Sequence, residues 1–414
     1  MKIEAVDWCA VLPVLRIFQL ARVALQPTKL ALAWLIVAAV YLGGVVLAWP
    51  LDAVEAEALM SPEAHAAKLL AVQEAETRPG DVGTRVPDVS GADVLRLWLS
   101  DQLASLWSLA GAVTSLDLGL TGGGVLGAAG ELTIEGPRRL WRVAPGFVAA
   151  FAAWSFVVSV LLGLGIARLA ALQLARKSTA GPLEAAGFIA RRGVWTLLAP
   201  ALPLAVVAAG AVVLVVAGLV LLNLPIVEWL GGLAYGPLLL VGLTMALLLI
   251  VLSVALHLLV AAMAVEGTDA FDAVSRCFAY VTTRPWQVLG YAAAGLAYGA
   301  LTFLVVLGVV GLGIWLTDRF LTWGLLTQTS VLNGGDGFAA AVVGLWRQAL
   351  LAVPAAYAVS FYFCAAVQTY LLVRRSADDN SLDDVYDPAT PRNPHAVLSQ
   401  ETEPTTTLEG GDGA

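Results

Sequence analysis

Six long apolar runs, none containing Asp, Glu, Lys or Arg, dominate the chain: 30–49, 147–167, 197–222, 235–265, 288–316 and 349–373. Each reaches the roughly 20 residues needed to cross about 30 Å of hydrocarbon as an α-helix. The runs do not alternate and are too long for barrel strands of about ten residues, so the pattern predicts helical spans. The longer ones must tilt or project beyond the hydrocarbon. Pro200, Pro203 and Pro354 fall inside the runs, where membrane helices tolerate them better than soluble ones do. The expected fold is therefore all-α, a polytopic transmembrane bundle of about six spans.

Between the spans the periodicity changes. Segment 93–117 is apolar in bulk but carries Asp101, Gln102, Ser105 and Ser108 near its centre. A mid-bilayer Asp costs about 2.5–3.5 kcal/mol, so this segment is read as a helix in the interface, not a seventh crossing. Segment 1–29 places Arg16, Gln19 and Arg22 as a polar stripe on an apolar helix ending at Gln26-Pro27, which predicts an amphipathic interfacial helix. The run from residue 30 is longer than a signal h-region and is read as a retained anchor.

Two connections resemble each other. One reads Gly181-Pro182-Leu183-Glu184-Ala185-Ala186, then Arg191-Arg192 and Trp195. The other reads Glu266-Gly267-Thr268-Asp269-Ala270-Phe271-Asp272-Ala273-Val274, then Arg276, Arg284 and Trp286. Both predict a short helix between two spans, and hence two related span–inner helix–span units. In the second, Phe271, Val274, Phe278 and Val281 form the expected apolar face, opposite Asp272, Ser275 and Arg276.

Composition agrees with a bilayer as solvent: 59% of residues are hydrophobic and 13% charged, about half the charge of a soluble chain. The net charge of -8 argues against nucleic acid as a partner. That charge is unevenly spread. Tail 376–414 holds nine acids and one arginine, loop 51–146 holds 13 acids and seven bases, and the rest of the chain is net positive. Fourteen Lys and Arg fall on one side of the predicted topology and nine on the other. Seven of the nine lie in the long loop, where the positive-inside rule is weak. Both termini are therefore expected in the cytoplasm, with the basic edge against anionic headgroups.

The expected organisation is an interfacial segment 1–29, a first span 30–50, an extracytoplasmic loop 51–146, a five-span bundle 147–375 and an acidic disordered tail 376–414. The tail cannot bury enough apolar surface to fold alone, and a short docking or modification motif is read around Ser381 and Tyr386. Asp378, Asn380 and Leu382 do not fit a calcium loop. Residues 121–127 lack the Lys-Ser/Thr ending of a phosphate-binding loop.

Candidate chemistry is sparse. Cys9, Cys277 and Cys364 are too scattered for a disulfide framework or a zinc site. His257 stands in a span without a carboxylate in neighbouring turns and reads as a helix contact. Glu266 is expected to pair with Arg276 or Arg284, or with Arg191 or Arg192 of the other unit. Asp272 and Glu184 stand in first turns, where a negative charge suits the helix dipole. No Ser–His–Asp, Cys–His or paired-carboxylate arrangement can be read. No catalytic site, cofactor or metal is implied, and the chain is not expected to be an enzyme.

The stretch Glu266-Gly267-x-Asp-x-Phe-Asp-Ala-Val-Ser-Arg276, with Tyr280-Val281 and Arg284-Pro285-Trp286, resembles a signature of uncharacterised polytopic membrane proteins of planctomycete-type bacteria. More loosely, it is similar to the membrane domains of bacterial glycerophosphodiesterases and to Yip-type membrane proteins, where a span ends in Glu-Gly before an Ala-x-x-Arg inner helix. The likeness spans about 168–373 and the acidic 378–386. It implies a helical membrane fold and brings no chemistry, because a phosphodiesterase catalytic barrel has no room in this chain.

The reading is a protein of the bacterial inner membrane acting as a scaffold or accessory subunit. The lipid bilayer is its first partner, and a protein partner is expected for the acidic tail. A small-molecule or lipid transporter is the alternative, with Asn223, Thr244, Ser253 and His257 as the residues that would line a path.

Overall fold

The computed structural model describes residues 13–48, 144–178, 180–222, 228–324, 337–378, 381 and 384–386, together with isolated positions between 108 and 141. The polar half of the loop, the interfacial reading of 93–117 apart from Ser108 and Ser115, and the tail beyond 386 lie outside the described residues.

Among the described residues there is no β-strand. The helices are α1 (Pro27–Ala48), α2 (Pro145–Arg176), α3 (Pro182–Leu198), α4 (Ala201–Ala217), α5 (Glu228–Glu266), α6 (Ala270–Thr283), α7 (Pro285–Gly324) and α8 (Phe338–Asp378). Six helical stretches are long and apolar enough to cross a membrane: α1, α2, the run Pro182–Leu221, Gly231–Glu266, α7 and α8. The protein is thus a polytopic all-α membrane protein. At 39–41 residues, α5, α7 and α8 measure about 60 Å, twice the hydrocarbon thickness, so they project well past it.

Local signals place the breaks. Pro27, Pro145, Pro182 and Pro285 each open a helix, where the missing N–H is not needed. A turn at Ala199–Pro200 separates α3 from α4, and α4 ends in a π-helical turn, Gly218–Leu222. Gly267, with φ of +59°, ends α5 and donates its N–H to the Met263 carbonyl at 3.0 Å, a left-handed cap that glycine adopts without a Cβ penalty. Asp269 then caps α6, its Oδ1 accepting from the Asp272 N–H at 3.0 Å.

The core lies around α8, which packs against α1, α2, α5 and α7. Half of the most apolar window of α8 is buried, against 17% or less in the other spans. It is also the least hydropathic span, as expected of the helix with the most protein and the least lipid around it. Elsewhere large apolar side chains such as Val215, Leu240, Ile250, Leu296, Val305 and Val309 stand exposed, which is the correct surface for a hydrocarbon solvent. Close approach of spans uses glycine: a Cβ on Gly43 would lie 1.9 Å from the Trp154 ring, and one on Gly163 would lie 2.1 Å from Phe363.

The N-terminal segment finds its partner in the bundle, and one local expectation, the buried face of α6, changes. The described part of the N-terminal segment, Pro13–Gln19 and Leu20–Ala24, is a wedge against the bundle. Ile17, Leu20, Val23 and Ala24 enter the core, Ser360 Oγ donates to the Ala24 carbonyl at 2.9 Å, and Tyr298 Oη donates to the Phe18 carbonyl at 3.0 Å. On α6 the buried face is Ala270, Ala273, Cys277, Tyr280 and Val281, with Phe271 71% exposed. The small residues let α6 approach α5 closely, and the face rotates by about one residue from the bulky apolar stripe.

Candidate functional site

The starts of α1 and α7 meet the ends of α2, α5 and α8 at one end of the bundle. There Lys29 bonds to Gln173, Gln287 accepts from Ser376 Oγ at 2.7 Å, and Arg168 NH1 donates to the Ala264 carbonyl at 3.2 Å. This charged end gathers the buried ionisable groups Lys29, Arg168, Glu266 and Arg374.

Its centre is Glu266, 3% exposed at the last residue of α5. Oε1 lies 2.9 Å from Arg374 Nε, an ion-pair contact not aligned as a hydrogen bond. The same oxygen accepts from Tyr370 Oη at 3.3 Å, and Oε2 lies 3.6 Å from Arg276 NH1. Arg276 is held in turn by Asp272 one helical turn earlier, its Nε donating to Oδ1 at 3.0 Å and Oδ2 at 3.1 Å. The Asp272 hydrogen bond, more than the Glu266 charge, raises the Arg276 guanidinium further above its ordinary value. Burial pushes the neighbouring Cys277 thiol up. Burial and the bond to Asp378 do the same for the Tyr280 phenol. Glu266 thus joins three helices, α5, α6 and α8.

The tail returns onto this cluster. Arg374 NH1 donates to the Asp384 carbonyl at 2.6 Å and NH2 to Asp384 Oδ2 at 2.7 Å. Arg176, at the end of α2, donates to the Val385 carbonyl at 2.7 Å, and the Tyr386 N–H donates to the Val265 carbonyl at 2.8 Å. Val385 is 2% exposed within the core. The Tyr386 ring rests on Gly267, where a Cβ would sit 2.5 Å from it, while the Arg192 guanidinium stands 5.8 Å from the ring centroid. Asp384–Val385–Tyr386 is therefore a strap across the ends of α2, α5 and α8.

The other unit carries the inverse pair. Arg168, 1% exposed on α2, lies 3.5 Å from Glu184 of α3 and 4.8 Å over the Phe188 ring. In one unit a span base meets an inner-helix acid; in the other a span acid meets an inner-helix base. Lys29 Nζ, beside the start of α1, donates to Gln26 Oε1 at 2.8 Å, to the Val23 carbonyl at 3.3 Å and to Gln173.

Comparison of the chain with protein-family models, with curated proteins and with solved structures finds no match.

Of the residues singled out in the sequence, Glu266, Asp272 and Arg276 come together, and Arg192 meets Tyr386. Arg191 and Arg284 are exposed outside the cluster. Arg284 instead joins two helices: its N–H donates to the Tyr280 carbonyl, and its own carbonyl accepts from Val288 at 3.2 Å. Ser381 is exposed. His257 makes an edge contact with Tyr362, centroids 5.0 Å apart. Thr244 and Ser253 are exposed and turn their hydroxyls to their own helix, onto the Leu240 and Ile250 carbonyls. Asn223 lies outside the described residues.

Sequence reasoning missed Arg374, Tyr370, Arg176, Arg168 and Asp384. Arg374 reads as one of an ordinary basic pair closing the last span. Its one distinguishing signal is Tyr370 four residues earlier, on the same helical face. The set of guanidiniums and carboxylates forms a clamp that fixes helix ends and the strap relative to one another.

Proposed function

We propose that this chain is a non-enzymatic scaffold or accessory subunit of a bacterial inner membrane, with both termini cytoplasmic. The observation that carries the reading is the strap. Guanidiniums and carboxylates at the charged end are spent on helix ends and on positioning the point from which the acidic tail departs. A fixed departure point beside exposed inner helices suits presentation of a peptide to a partner. Trp195 and Trp286, both exposed where the chain enters a span, suit the headgroup level and add to the same orientation. Thr244 and Ser253, exposed residues whose hydroxyls bond to carbonyls of their own helix, give no support to a transport path through α5.

The test is co-purification in gentle detergent, comparing the full chain with one ending at Tyr386, which keeps the strap. The scaffold reading expects at least one partner lost on truncation. Identical partner sets overturn the role of the tail.

A further inference from the structure

Beyond the Asp318–Arg347 pair, at the end of the bundle opposite the charged cluster, the hairpin of α7 and α8 stays apolar. Between Arg347 and Arg374, α8 has 26 residues without a charge, about 39 Å of helix. The roughly 30 Å of hydrocarbon therefore fits between the two arginines. The Asp318–Arg347 pair is about one-third exposed, and exposed charge avoids hydrocarbon. Phe338 opens α8 nine residues before Arg347, about 13 Å further out. Yet Phe320 and Trp323 of α7, and Phe338, Leu345 and Trp346 of α8, are each more than half exposed. Large apolar side chains gathered outside the hydrocarbon mark a surface that something covers.

The chain carries a segment of matching chemistry beside this end. The bonds of Ser360 to Ala24 and of Trp34 Nε1 to the Ala349 carbonyl, at 2.9 and 3.2 Å, set the N-terminal part antiparallel to α8, so Ala48 comes level with the start of α8. Gly163 meets Phe363 on the parallel helix α2, which puts Pro145 level with Leu345. Both ends of connection 49–144 thus leave the bundle beside the exposed aromatic residues. That connection contains segment 93–117. On a helix, Leu95, Leu99, Leu103 and Leu106 fall in one stripe, with Ser108 and Ser115 on the opposite face. Both serines are helical and exposed, which leaves the leucine stripe as the face to bury. The 27 residues 118–144 span about 30 Å as a flexible chain, enough to lay the stripe on the hairpin. Charge decides between the hairpin and the membrane surface. Segment 93–117 has three Asp and one Arg, whereas helices that lie on anionic bilayers are rich in Lys and Arg. Arg319, exposed on the hairpin and 5.4 Å over the Trp323 ring, suits the acidic segment.

We propose that segment 93–117 forms a helix whose leucine stripe covers the apolar end of the α7–α8 hairpin. The inference stands apart from the scaffold reading, which concerns the opposite end of the bundle.

Hydroxyl-radical footprinting of the full chain in phosphatidylcholine nanodiscs, read by peptide mass spectrometry on Trp323, Phe338 and Trp346, tests it. These residues should oxidise slowly in the wild type. They should oxidise severalfold faster in the variant carrying Leu95→Ser, Leu99→Ser, Leu103→Ser and Leu106→Ser. The peptide holding Cys364, buried in the core, is the internal standard, and unchanged oxidation there shows that the variant is folded. The reciprocal variant, Phe338→Ser with Trp346→Ser, should raise oxidation of Trp98 and Trp107 severalfold. Rapid oxidation of the three hairpin residues in the wild type overturns the proposal, because the hairpin end is then open to water. Slow oxidation in both the wild type and the folded leucine variant also overturns it, because lipid or a second copy is then the cover. Should the standard show the leucine variant unfolded, the reciprocal variant decides, and unchanged oxidation of Trp98 and Trp107 overturns the proposal.

Discussion

Glu266 and Arg374 meet at 2.9 Å with each side chain almost fully buried, at the ends of two spans that pack along one another. A carboxylate in this position without its partner would be a charge stranded in a low-dielectric interior. Removing one member of such a pair costs about 3–5 kcal/mol, whereas replacing both with apolar residues of similar volume is often neutral.

The first prediction follows from that asymmetry. Arg374→Met alone should destabilise the protein by about 3 kcal/mol, while Arg374→Met with Glu266→Leu should recover much of the loss. Reversible unfolding in mixed micelles measures both. The Asp318–Arg347 pair, about one-third exposed at the opposite ends of α7 and α8, provides the contrast: Arg347→Ala should cost no more than about 1 kcal/mol. Additive losses from Glu266 and Arg374, or a larger loss at Arg347, would contradict this account of the charged end.

Gly267 predicts a second non-additive pair. A side chain there faces both the left-handed backbone, which costs about 1–2 kcal/mol, and the Tyr386 ring at 2.5 Å. Gly267→Ala should therefore expose the strap to protease as well as lower stability. In a Tyr386→Ala background the same substitution should retain only the backbone component. Equal effects in both backgrounds would show that the ring does not rest on Gly267.

Lys29 is 1% exposed, and its ammonium is satisfied by side-chain and backbone oxygens. Gln173→Leu leaves that ammonium one acceptor short and should cost about 1–3 kcal/mol. Lys29→Met with Gln173→Leu should lose less than Gln173→Leu alone. The same micelle unfolding assay reads the difference.

Cys277 and Cys364 are fully buried, and burial raises the Cys277 thiol above its ordinary value, leaving little thiolate near neutral pH. Folded protein at neutral pH should leave both unmodified by maleimide, and both should react once unfolded in hot dodecyl sulfate. Peptide mass spectrometry showing Cys277 labelled in the folded protein would contradict the packing of α6.

The spans were legible because bilayer thickness imposes a length that charge-free runs such as 30–49 and 235–265 meet directly. Glu266 was legible as a candidate because a carboxylate at the end of an apolar run has few environments open to it. Its main partner was not: Arg374 is distant in sequence, and only packing of α8 against α5 joins them. The buried face of α6 escaped for a related reason. Ala270, Ala273 and Cys277 carry a weaker apolar signal than Phe271 and Phe278, but close approach to α5 selects small side chains over bulky ones. The strap was hidden within a segment whose acidity marks it as solvated, because three residues with one buried valine leave no periodicity to read.

The most direct test of the account is hydrogen–deuterium exchange of the full chain in nanodiscs, read on the fragment containing Asp384–Tyr386. The Tyr386 N–H, bonded to the Val265 carbonyl at 2.8 Å, should exchange far more slowly than in the same protein unfolded in denaturant, and Asp384→Asn should abolish much of that protection. Exchange of the wild-type amide at the unfolded rate would contradict the strap and the organisation of the charged end built on it.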